Sequence, residues 1–262
     1  GFVYSQIIPE ATDPEHLERL LHGKNERINS RFFAGYSTIL NLYSRFGEGA
    51  FDIFRQSLHN FRKGVFAMTK AYRKEENQIE RRIAFLQSAG FLDGTNLTEK
   101  GKLAAAVSGY EIQAAELYFS RSFDECSVMQ LPVLLAALIT EESRGRKAAP
   151  VTSVQLRFQA EKVIHKLRMK EIKHQISMPI REMDFTLAAP VMAWANGCSL
   201  AELSSFGVPE GDLVRVLRMT IQLLRTLRDK VPDTYLADRF HEALVLVNRD
   251  VVDAQAQLEV GY

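Results

Sequence analysis

Residues 211–229 read GDLVRVLRMTIQLLRTLRD, and this stretch decides the fold class. Its apolar residues recur every three or four positions, which predicts an amphipathic helix rather than a strand. On a helical wheel the broad apolar face holds Val216, Leu217, Met219, Leu223, Leu224 and Leu227. The narrow opposite face carries a stripe at spacing 3, 4 and 3, made of Arg215, Arg218, Gln222 and Arg225. These four residues are called the arginine stripe.

The arginine stripe has no acidic neighbours on its own helix. Between Asp212 and Asp229 the sequence contains no carboxylate, whereas a surface helix usually pairs arginine with glutamate one turn away. Two interpretations stay open. Either the stripe binds nucleic acid, since arginines on a rigid helix pair with phosphates and stack on bases, or neighbouring helices supply its partners.

Helical periodicity continues on both sides of this stretch. Downstream, it predicts a helix at 234–255 after Pro232. Upstream, it predicts helices at 26–46, 49–62, 127–142, 151–176, 183–196 and 199–205. Pro190 is expected to kink or restart the helix that contains it. The sequence therefore predicts an all-α, mainly helical protein.

One small hairpin is the exception. An amphipathic helix ends at Gly90, FLDGTNLT (91–98) reads as an Asp-Gly hairpin, and Thr98 can cap the next helix. Helix, short hairpin and helix in this order are typical of a winged helix. The predicted fold is therefore a winged helix followed by a helical bundle.

Composition excludes several classes of protein. The chain has 262 residues, 46% hydrophobic and 25% charged, and a formal charge of +1, so neither disorder nor non-specific coating of nucleic acid is expected. Cys126 and Cys198 are far apart and predict two reduced, buried thiols in a cytoplasmic protein. No apolar run is long enough to span a membrane. Gly1 is not Met, so the chain reads as a fragment.

Catalytic motifs are absent from the sequence. There is no GxxxxGK[ST] loop to hold nucleotide phosphates, no GxGxxG or GxSxG motif and no HExxH pair. His165 and His174 lie two turns apart on one predicted helix, which favours structural or solvated histidines over a metal site. The chain is expected to have no catalytic residue and no cofactor of its own.

A second basic feature lies between Arg144 and His174. It contains nine Lys or Arg residues against two acids, Glu161 and Glu171. A phosphate backbone can use such a strip through counterion release. A solvated helix face is the alternative interpretation.

Several short motifs carry a family resemblance through their order and spacing. They are Trp194-Ala-Asn-Gly197, Ser199-Leu-Ala-Glu202, the Glu210-Gly start of a helix with Arg215 and Arg218, Leu223-Leu-Arg225, and Arg249-Asp250. Together they resemble the C-terminal helical (DSHCT) domain of DExH-box RNA helicases of the superkiller and exosome-associated group. Residues 97–139 resemble that family's connection from winged helix to bundle, and residues 7–42 resemble the exit from its second RecA-like motor domain.

The resemblance implies an organisation and a function. Residues 1–25 would be the exit segment from a missing motor domain, 26–110 the winged-helix domain, and 111–262 the bundle, with a ratchet-type helix at 210–229. The arginine stripe would face single-stranded RNA, or DNA, moving out of the motor. ATP and Mg²⁺ would bind in the motor, so this part alone should be inactive. The other implied partners are the RecA-like domains and the RNA-degradation machinery, without a membrane.

Departures from the family are visible as well. Eukaryotic members carry a large arch inserted in the winged-helix region, where this chain has only RKGVFAMTKAYRKEEN (62–77), so it resembles an archless relative. Ile221 and Gln222 stand where the family often has acidic residues, although Gln222 can still bind a base or ribose. Trp194 is expected in the core, and Arg249–Asp250 as a structural ion pair or cap.

Two alternatives from other classes remain. The chain would be a winged-helix DNA-binding regulator if residues 78–108 read duplex DNA and the bundle dimerised. That regulator needs a basic helix before the wing, and IERRIAFLQSAG offers only Arg81 and Arg82. The other alternative is a helical protein-interaction scaffold.

Overall fold

The structure, a computed structural model, describes residues 34–55, 70–141 and 154–253. The described residues fall within one compact unit, Ala34–Tyr262. The predicted exit segment at 1–25 lies outside them, as does the second half of the predicted helix 49–62. The domain boundary expected between residues 110 and 111 stays a prediction.

The described chain begins with two helices that a glycine-rich turn separates. Helix α1 is Tyr36–Phe46, a 3₁₀ turn occupies Gly47–Gly49, and helix α2 is Ala50–Arg55. The break falls where the sequence FGEG (46–49) predicted it. Tyr36, Ile39 and Leu40 of α1 are buried.

The helix–hairpin–helix order is confirmed. Helix α3, Lys70–Ser88, is followed by strands β1, Leu92–Asp93, and β2, Asn96–Leu97, which pair antiparallel with Leu92 opposite Leu97. Helix α4 is Glu99–Ala106, and the Thr98 hydroxyl accepts a hydrogen bond from the Gly101 amide at 3.1 Å, as expected of an N-cap. That this helix–hairpin–helix unit is a winged helix stays a prediction.

Gly101 allows α4 to approach the hairpin closely. A Cβ atom at this position would lie 2.0 Å from the carbonyl oxygen of Phe91, at the entrance to the hairpin. No other residue fits that distance without moving the backbone. The small hairpin is therefore held in place by a backbone contact as well as by its two short strands.

The remaining helices form the bundle, and most are shorter than predicted. They are α5 (Glu111–Phe119), α6 (Gln130–Ile139), α7 (Val154–Lys173), α8 (Ala188–Ala195), α9 (Leu200–Leu203), α10 (Glu210–Lys230) and α11 (Thr234–Val247). Short 3₁₀ turns lie at Phe185–Leu187, Ser204–Phe206 and Asp250–Val252. The prediction of a mainly helical fold with one small hairpin is confirmed.

Local hydrogen bonds explain where the predicted helix ends were wrong. The predicted helix 127–142 starts only at Gln130, whose side chain accepts a hydrogen bond from the Ser127 amide at 2.8 Å, and it ends where Thr140 turns extended. The predicted helix 234–255 stops at Val247, and Asp250 then has a left-handed φ of 52°. Its start is as expected, because Asp233 caps it through the Leu236 amide.

Pro190 restarts a helix rather than kinking one. It is the third residue of α8, in the first turn, where a proline nitrogen leaves no intrahelical hydrogen bond unmade. The preceding 3₁₀ turn is capped by Asp184, which accepts from the Thr186 amide at 2.8 Å. The predicted helix 183–196 is therefore a turn followed by α8.

The core is built from aromatic and leucine side chains. Trp194, Phe85, Phe91, Phe123 and Phe240 are fully buried. The indole nitrogen of Trp194 donates to the carbonyl of Val247 at 2.9 Å, so its expected core position is confirmed. Both cysteines are free: Cys126 is buried, which raises its thiol pKa to about 12, whereas Cys198 is only half-buried.

A buried polar cluster joins α1, α3 and α7. The hydroxyl of Tyr36 donates to Glu171 at 2.5 Å, and the other carboxylate oxygen of Glu171 accepts from the Ile180 amide at 2.7 Å. Burial raises the pKa of both Tyr36 and Glu171, and it lowers the pKa of the nearby Arg82. The cluster thus links the helices before and after the predicted boundary at residue 110.

No helix in the described ranges combines the length and the apolar character that crossing a bilayer requires.

Candidate nucleic-acid interface

Helix α10 presents the arginine stripe. It begins after Pro209, carries Glu210 and Asp212 in its first turn and Arg228 and Lys230 in its last, a charge order that suits the helix dipole. Its buried side chains are Leu213, Val216, Leu217, Thr220, Ile221, Leu223, Leu224 and Leu227. They pack against α11 and α6. The wheel prediction of one apolar face is confirmed for all its members except Met219, which is half-buried.

The first and third residues of the stripe are exposed. The Arg215 guanidinium donates to the sulfur of Met219 at 3.6 Å on its own helix. The Gln222 side chain lies two turns beyond Arg215 and is exposed as well. At Arg215 and Gln222 the stripe therefore presents a cation and an amide to solvent.

Arg218 and Arg225 contact the chain that follows α11. Arg218 donates to the carbonyl of Val251 at 2.8 Å, and Arg225 donates to the side-chain oxygen of Asn248 at 3.5 Å. Asn248 in turn donates to Asp253 at 3.3 Å. These contacts connect both guanidinium groups to the chain that follows α11, Arg218 through a short hydrogen bond and Arg225 through a long one.

Tertiary contacts therefore supply part of the stripe's partners, as one of the two open interpretations expected. The contacts of residues 248–253 with the stripe were not predicted from the sequence. An unbroken helix to residue 255 was expected, and such a helix would have carried these residues away from α10. The segment also brings Asp250 and Asp253 toward the stripe, although Asp250 is exposed. The stripe is less isolated from carboxylates than its own helix suggested.

Two further residues near Arg215 were not singled out from the sequence. The pKa of Glu141 is lowered, chiefly by the hydrogen bond from Arg181 at 2.8 Å and to a smaller extent by Arg215. Burial raises the pKa of Tyr110, which also lies within the electrostatic range of Arg181 and Arg215. Tyr110 and the Arg181–Glu141 ion pair thus lie within the electrostatic range of Arg215. No sequence spacing could have indicated this, because they lie on other elements.

Arg249 has a structural role, and the expected ion pair with Asp250 is not found among the described residues. Its guanidinium donates to the carbonyls of Trp194 at 2.8 Å and Cys198 at 2.6 Å, where α8 ends. It also lies 3.7 Å from the centre of the Trp194 ring. Of the two expected roles, a cap on exposed carbonyls is what the structure shows.

The second basic feature coincides in part with α7. Arg144, Arg146 and Lys147 lie outside the described residues. On α7, Arg157 pairs with Glu161 at 2.8 Å and Arg168 with Glu182 at 2.5 Å. The lysines of this helix are exposed. The described part of the strip is therefore a helix surface with two paired arginines and four exposed lysines.

His165 and His174 each have a separate set of contacts. His174 shares a hydrogen bond with the Ser88 hydroxyl at 3.0 Å and packs edge-on against Phe85, while His165 lies 3.9 Å from Glu182. Within the described ranges no three His, Cys, Asp or Glu side chains converge on a point that could hold a metal ion. The histidines make ordinary structural contacts.

Comparison with known proteins identifies a family to which most of this chain is similar. Residues 94–255, more than half of the chain, match the DSHCT (NUC185) domain. The match begins at the hairpin turn and includes α10 and the segment that contacts its arginines.

Individual relatives agree with this match. The chain is 26% identical over 208 residues to "DExH-box ATP-dependent RNA helicase DExH9" of Arabidopsis thaliana, covering 75% of this chain and 21% of that protein. It is 24% identical over 188 residues to "Superkiller complex protein 2" of Mus musculus, covering 68% and 15%. It is 24% identical over 190 residues to "ATP-dependent RNA helicase mtr4" of Schizosaccharomyces pombe, covering 67% and 17%.

The chain thus spans about a fifth or less of the length of these relatives. The resemblance inferred from the motifs around Trp194, Arg215 and Arg249 is confirmed. The chain belongs to the DSHCT (NUC185) domain family and corresponds to the C-terminal region of a superkiller-type helicase.

Proposed function

We propose that this chain guides single-stranded RNA, or single-stranded DNA, for a helicase motor, and that the arginine stripe is its contact surface. The observation that carries the proposal is the geometry of α10. Its apolar face is buried against α6 and α11, so the helix is rigid, while Arg215, Arg218, Gln222 and Arg225 lie along its other side. Rigid arginines suit phosphate pairing and base stacking, which serve single strands of any sequence.

The contacts of two arginines with the chain that follows α11 support this role. Arg218 donates to the Val251 carbonyl, and Arg225 donates to the side-chain oxygen of Asn248. A guanidinium has five N–H donors, so donors not engaged by the protein can still bind a phosphate. Gln222 lies between them and offers an amide that can donate to and accept from a base or ribose.

The chemistry of unwinding would belong to RecA-like motor domains outside this chain. ATP and Mg²⁺ would bind there, because the sequence has no phosphate-binding loop. In this arrangement the helix–hairpin–helix unit would be an archless winged helix, the chain by itself would hydrolyse no ATP, and the parent protein would act in the cytoplasm beside RNA-degradation machinery. The named activities of its RNA-helicase relatives motivate these proposals.

The two alternatives are not favoured. A winged-helix regulator needs outward-facing basic residues before the wing, yet Arg82 is buried and Arg81 donates to the carbonyl of Gln175 at 3.1 Å. A helical protein-interaction scaffold does not by itself account for a row of arginines without carboxylates on their own helix. The family match also places the chain with helicase domains.

The test uses the intact helicase with Arg218→Ala and Arg225→Ala, singly and together. Each substitution should weaken single-strand binding about fivefold to tenfold and lower the salt slope by about one, because each arginine neutralises one phosphate. Fluorescence anisotropy with single-stranded and duplex RNA and DNA, at two salt concentrations, measures both quantities. Unwinding should fall in the double variant.

Arg121→Ala is the matched control, because Arg121 is an exposed arginine in the turn after α5, and its ion-pair partner in the described part of the chain is Asp124. It should leave affinity and salt slope unchanged. Circular dichroism should show native helicity for every variant. Unchanged binding and unwinding in the double variant would exclude the stripe as the strand contact, and preferential duplex-DNA binding would favour the regulator instead.

A further inference from the structure

The outer face of α7 carries four exposed lysines: Lys162, Lys166, Lys170 and Lys173. Their spacing of 4, 4 and 3 places them in one row along the helix. Ala160, Ile164, Leu167 and Glu171 are buried on the opposite side. The lysine row therefore points directly away from the body of the protein.

A second row, beside the lysines, is partly apolar. Phe158 is 65% exposed, Met169 48% and Ile172 46%. With Lys162 and His165 these residues follow a spacing of 4, 3, 4 and 3, which is the seam spacing of helices that pack side by side. Large apolar side chains exposed in register on one helix mark an interaction surface.

The carboxylates near this face are already occupied. Glu161 pairs with Arg157, Glu182 pairs with Arg168, and Glu171 is buried with Tyr36. None of the four lysines has an ion pair with any residue in the described ranges. The positive charge of the outer face of α7 is therefore not neutralised by the described fold.

A hollow adjoins the N-terminal half of the same face. Its volume is about 490 Å³, and Phe158, Lys162, His165 and Met183 are among the residues that line it. A space of this size accommodates large apolar side chains. It lies next to the apolar row, where an approaching helix would place its anchoring residues.

From these observations we propose that the outer face of α7 docks an acidic amphipathic helix of a partner protein. The seam spacing fits the apolar side chains of a second helix, and the lysine row fits glutamates or aspartates that flank them. Single-stranded nucleic acid fits less well. Met169 and Ile172, which form the C-terminal half of the apolar row, cannot stack on bases, whereas Phe158 and His165 can. The proposal is independent of the arginine stripe.

The test uses the whole chain and a fluorescein-labelled synthetic helix of about 20 residues, with leucine at heptad positions a and d and glutamate at e and g. Anisotropy should show saturable binding. The combined charge reversal Lys162→Glu, Lys166→Glu and Lys173→Glu should weaken it at least about tenfold. A peptide with lysine in place of every glutamate should show the opposite preference and bind the reversed variant better than the wild type.

Two further variants control for net charge and for packing. The combination Arg45→Glu, Lys102→Glu and Arg121→Glu changes the charge equally at exposed sites on other elements and should leave peptide affinity unchanged. Met169→Ser with Ile172→Ser keeps the lysines and should lose most of the binding. Circular dichroism confirms that each variant folds.

Three outcomes overturn the proposal. The first is an acidic peptide that does not bind, or that binds both charge-altered variants equally. The second is a loss of single-stranded RNA affinity in the α7 reversal as large as in the stripe variants, which would make the face a nucleic-acid surface. The third is self-association of the wild-type chain, seen by light scattering and abolished by the reversal, which would make a second copy the occupant.

Discussion

Arg249 joins two helices that are far apart in the sequence. Lying just beyond α11, it donates to the carbonyls of Trp194 and Cys198 and covers the indole ring, so one side chain fixes the end of α8 against the end of α11. Arg239 acts similarly from the middle of α11: it is buried and donates to the carbonyls of Phe123 and Cys126. Arg239 and Arg249 thus both donate to backbone carbonyls.

We predict that Arg249→Lys lowers the free energy of unfolding by about 2 kcal/mol, because hydrogen bonds to a charged group contribute about 1.5–3 kcal/mol and a lysine cannot reproduce the planar fork. Urea denaturation followed by circular dichroism measures the change. Arg121→Lys, at an exposed arginine, should have almost no effect. Equal stability of the two variants would show that the Arg249 contacts contribute little.

Glu171 is the residue from which we expect a pH dependence of stability. Burial raises its pKa above the unfolded value of 4.5, so the folded state binds its proton more tightly than the unfolded chain does. Stability from this group is therefore fully present below pH 4.5 and falls as the pH rises through the folded pKa.

Glu171→Gln removes the titrating group and preserves the shape of the side chain. Compared with this variant, the wild type should lose stability between pH 4.5 and the folded pKa. Chemical denaturation at a series of pH values gives both curves. Parallel curves would mean that the folded and unfolded pKa values of Glu171 do not differ.

Two features at the scale of elements position the functional surface. The hairpin is set by Thr98 and by the close contact of Gly101 with Phe91, both local to α4. Helix α10 is set by burial of its leucine face, which leaves the arginine stripe outside. For the hairpin, the geometry at Gly101 determines the packing. For α10, the apolar periodicity of the whole helix determines it.

We predict that Gly101→Ala disrupts the packing of α4 on the hairpin. The new methyl would lie 2.0 Å from the Phe91 carbonyl, so the backbone must move, at a cost of about 2 kcal/mol or more. Gly211→Ala is the matched control: it lies in the first turn of α10 and would meet nothing within 4 Å, so it should be neutral or stabilising by about 0.5 kcal/mol. The melting temperatures of both variants, measured by circular dichroism, test this prediction. A stable Gly101→Ala protein would show that α4 can shift freely.

At the scale of the whole molecule, contacts cross the predicted boundary at residue 110. Lys100 of α4 pairs with Glu116 of α5, and Tyr36 of α1 donates to Glu171 of α7. Gln78 and Arg81 of α3 both donate to the carbonyl of Gln175, just beyond α7. These bonds connect the helix–hairpin–helix unit to the bundle.

We expect the two predicted domains to unfold in one cooperative transition, because they share this buried polar cluster and the surrounding core. The single tryptophan, Trp194, reports the bundle by fluorescence, while far-UV circular dichroism reports all helices. The two melting curves should coincide, and Gly101→Ala should shift both equally. Separate transitions would show that the boundary near residue 110 divides independent folding units.

Particular residues show how far prediction from the sequence reached. The helix α10, the Asp-Gly hairpin, the Thr98 cap and the buried Trp194 were predicted correctly, since each depends on the residues of one segment or on a strong side-chain preference. The end of α11 was wrong by several residues. Its helical pattern continues past Val247, but the helix ends there and Arg249 instead contacts the end of α8.

The sequence alone determined the helical class, the hairpin and the existence of an arginine stripe, because the hydrophobic effect acts on periodicities that are visible in one dimension. Only the tertiary structure decided what surrounds that stripe. Contacts between distant segments bring Val251 and Asn248 to the stripe and Tyr110 and Arg181 into its electrostatic range. Such contacts also determine that the α7 lysines face outward. The spacing of residues within one segment predicts none of these contacts. Helicity follows from local preference and burial, whereas the partners of a surface charge follow from how the helices pack.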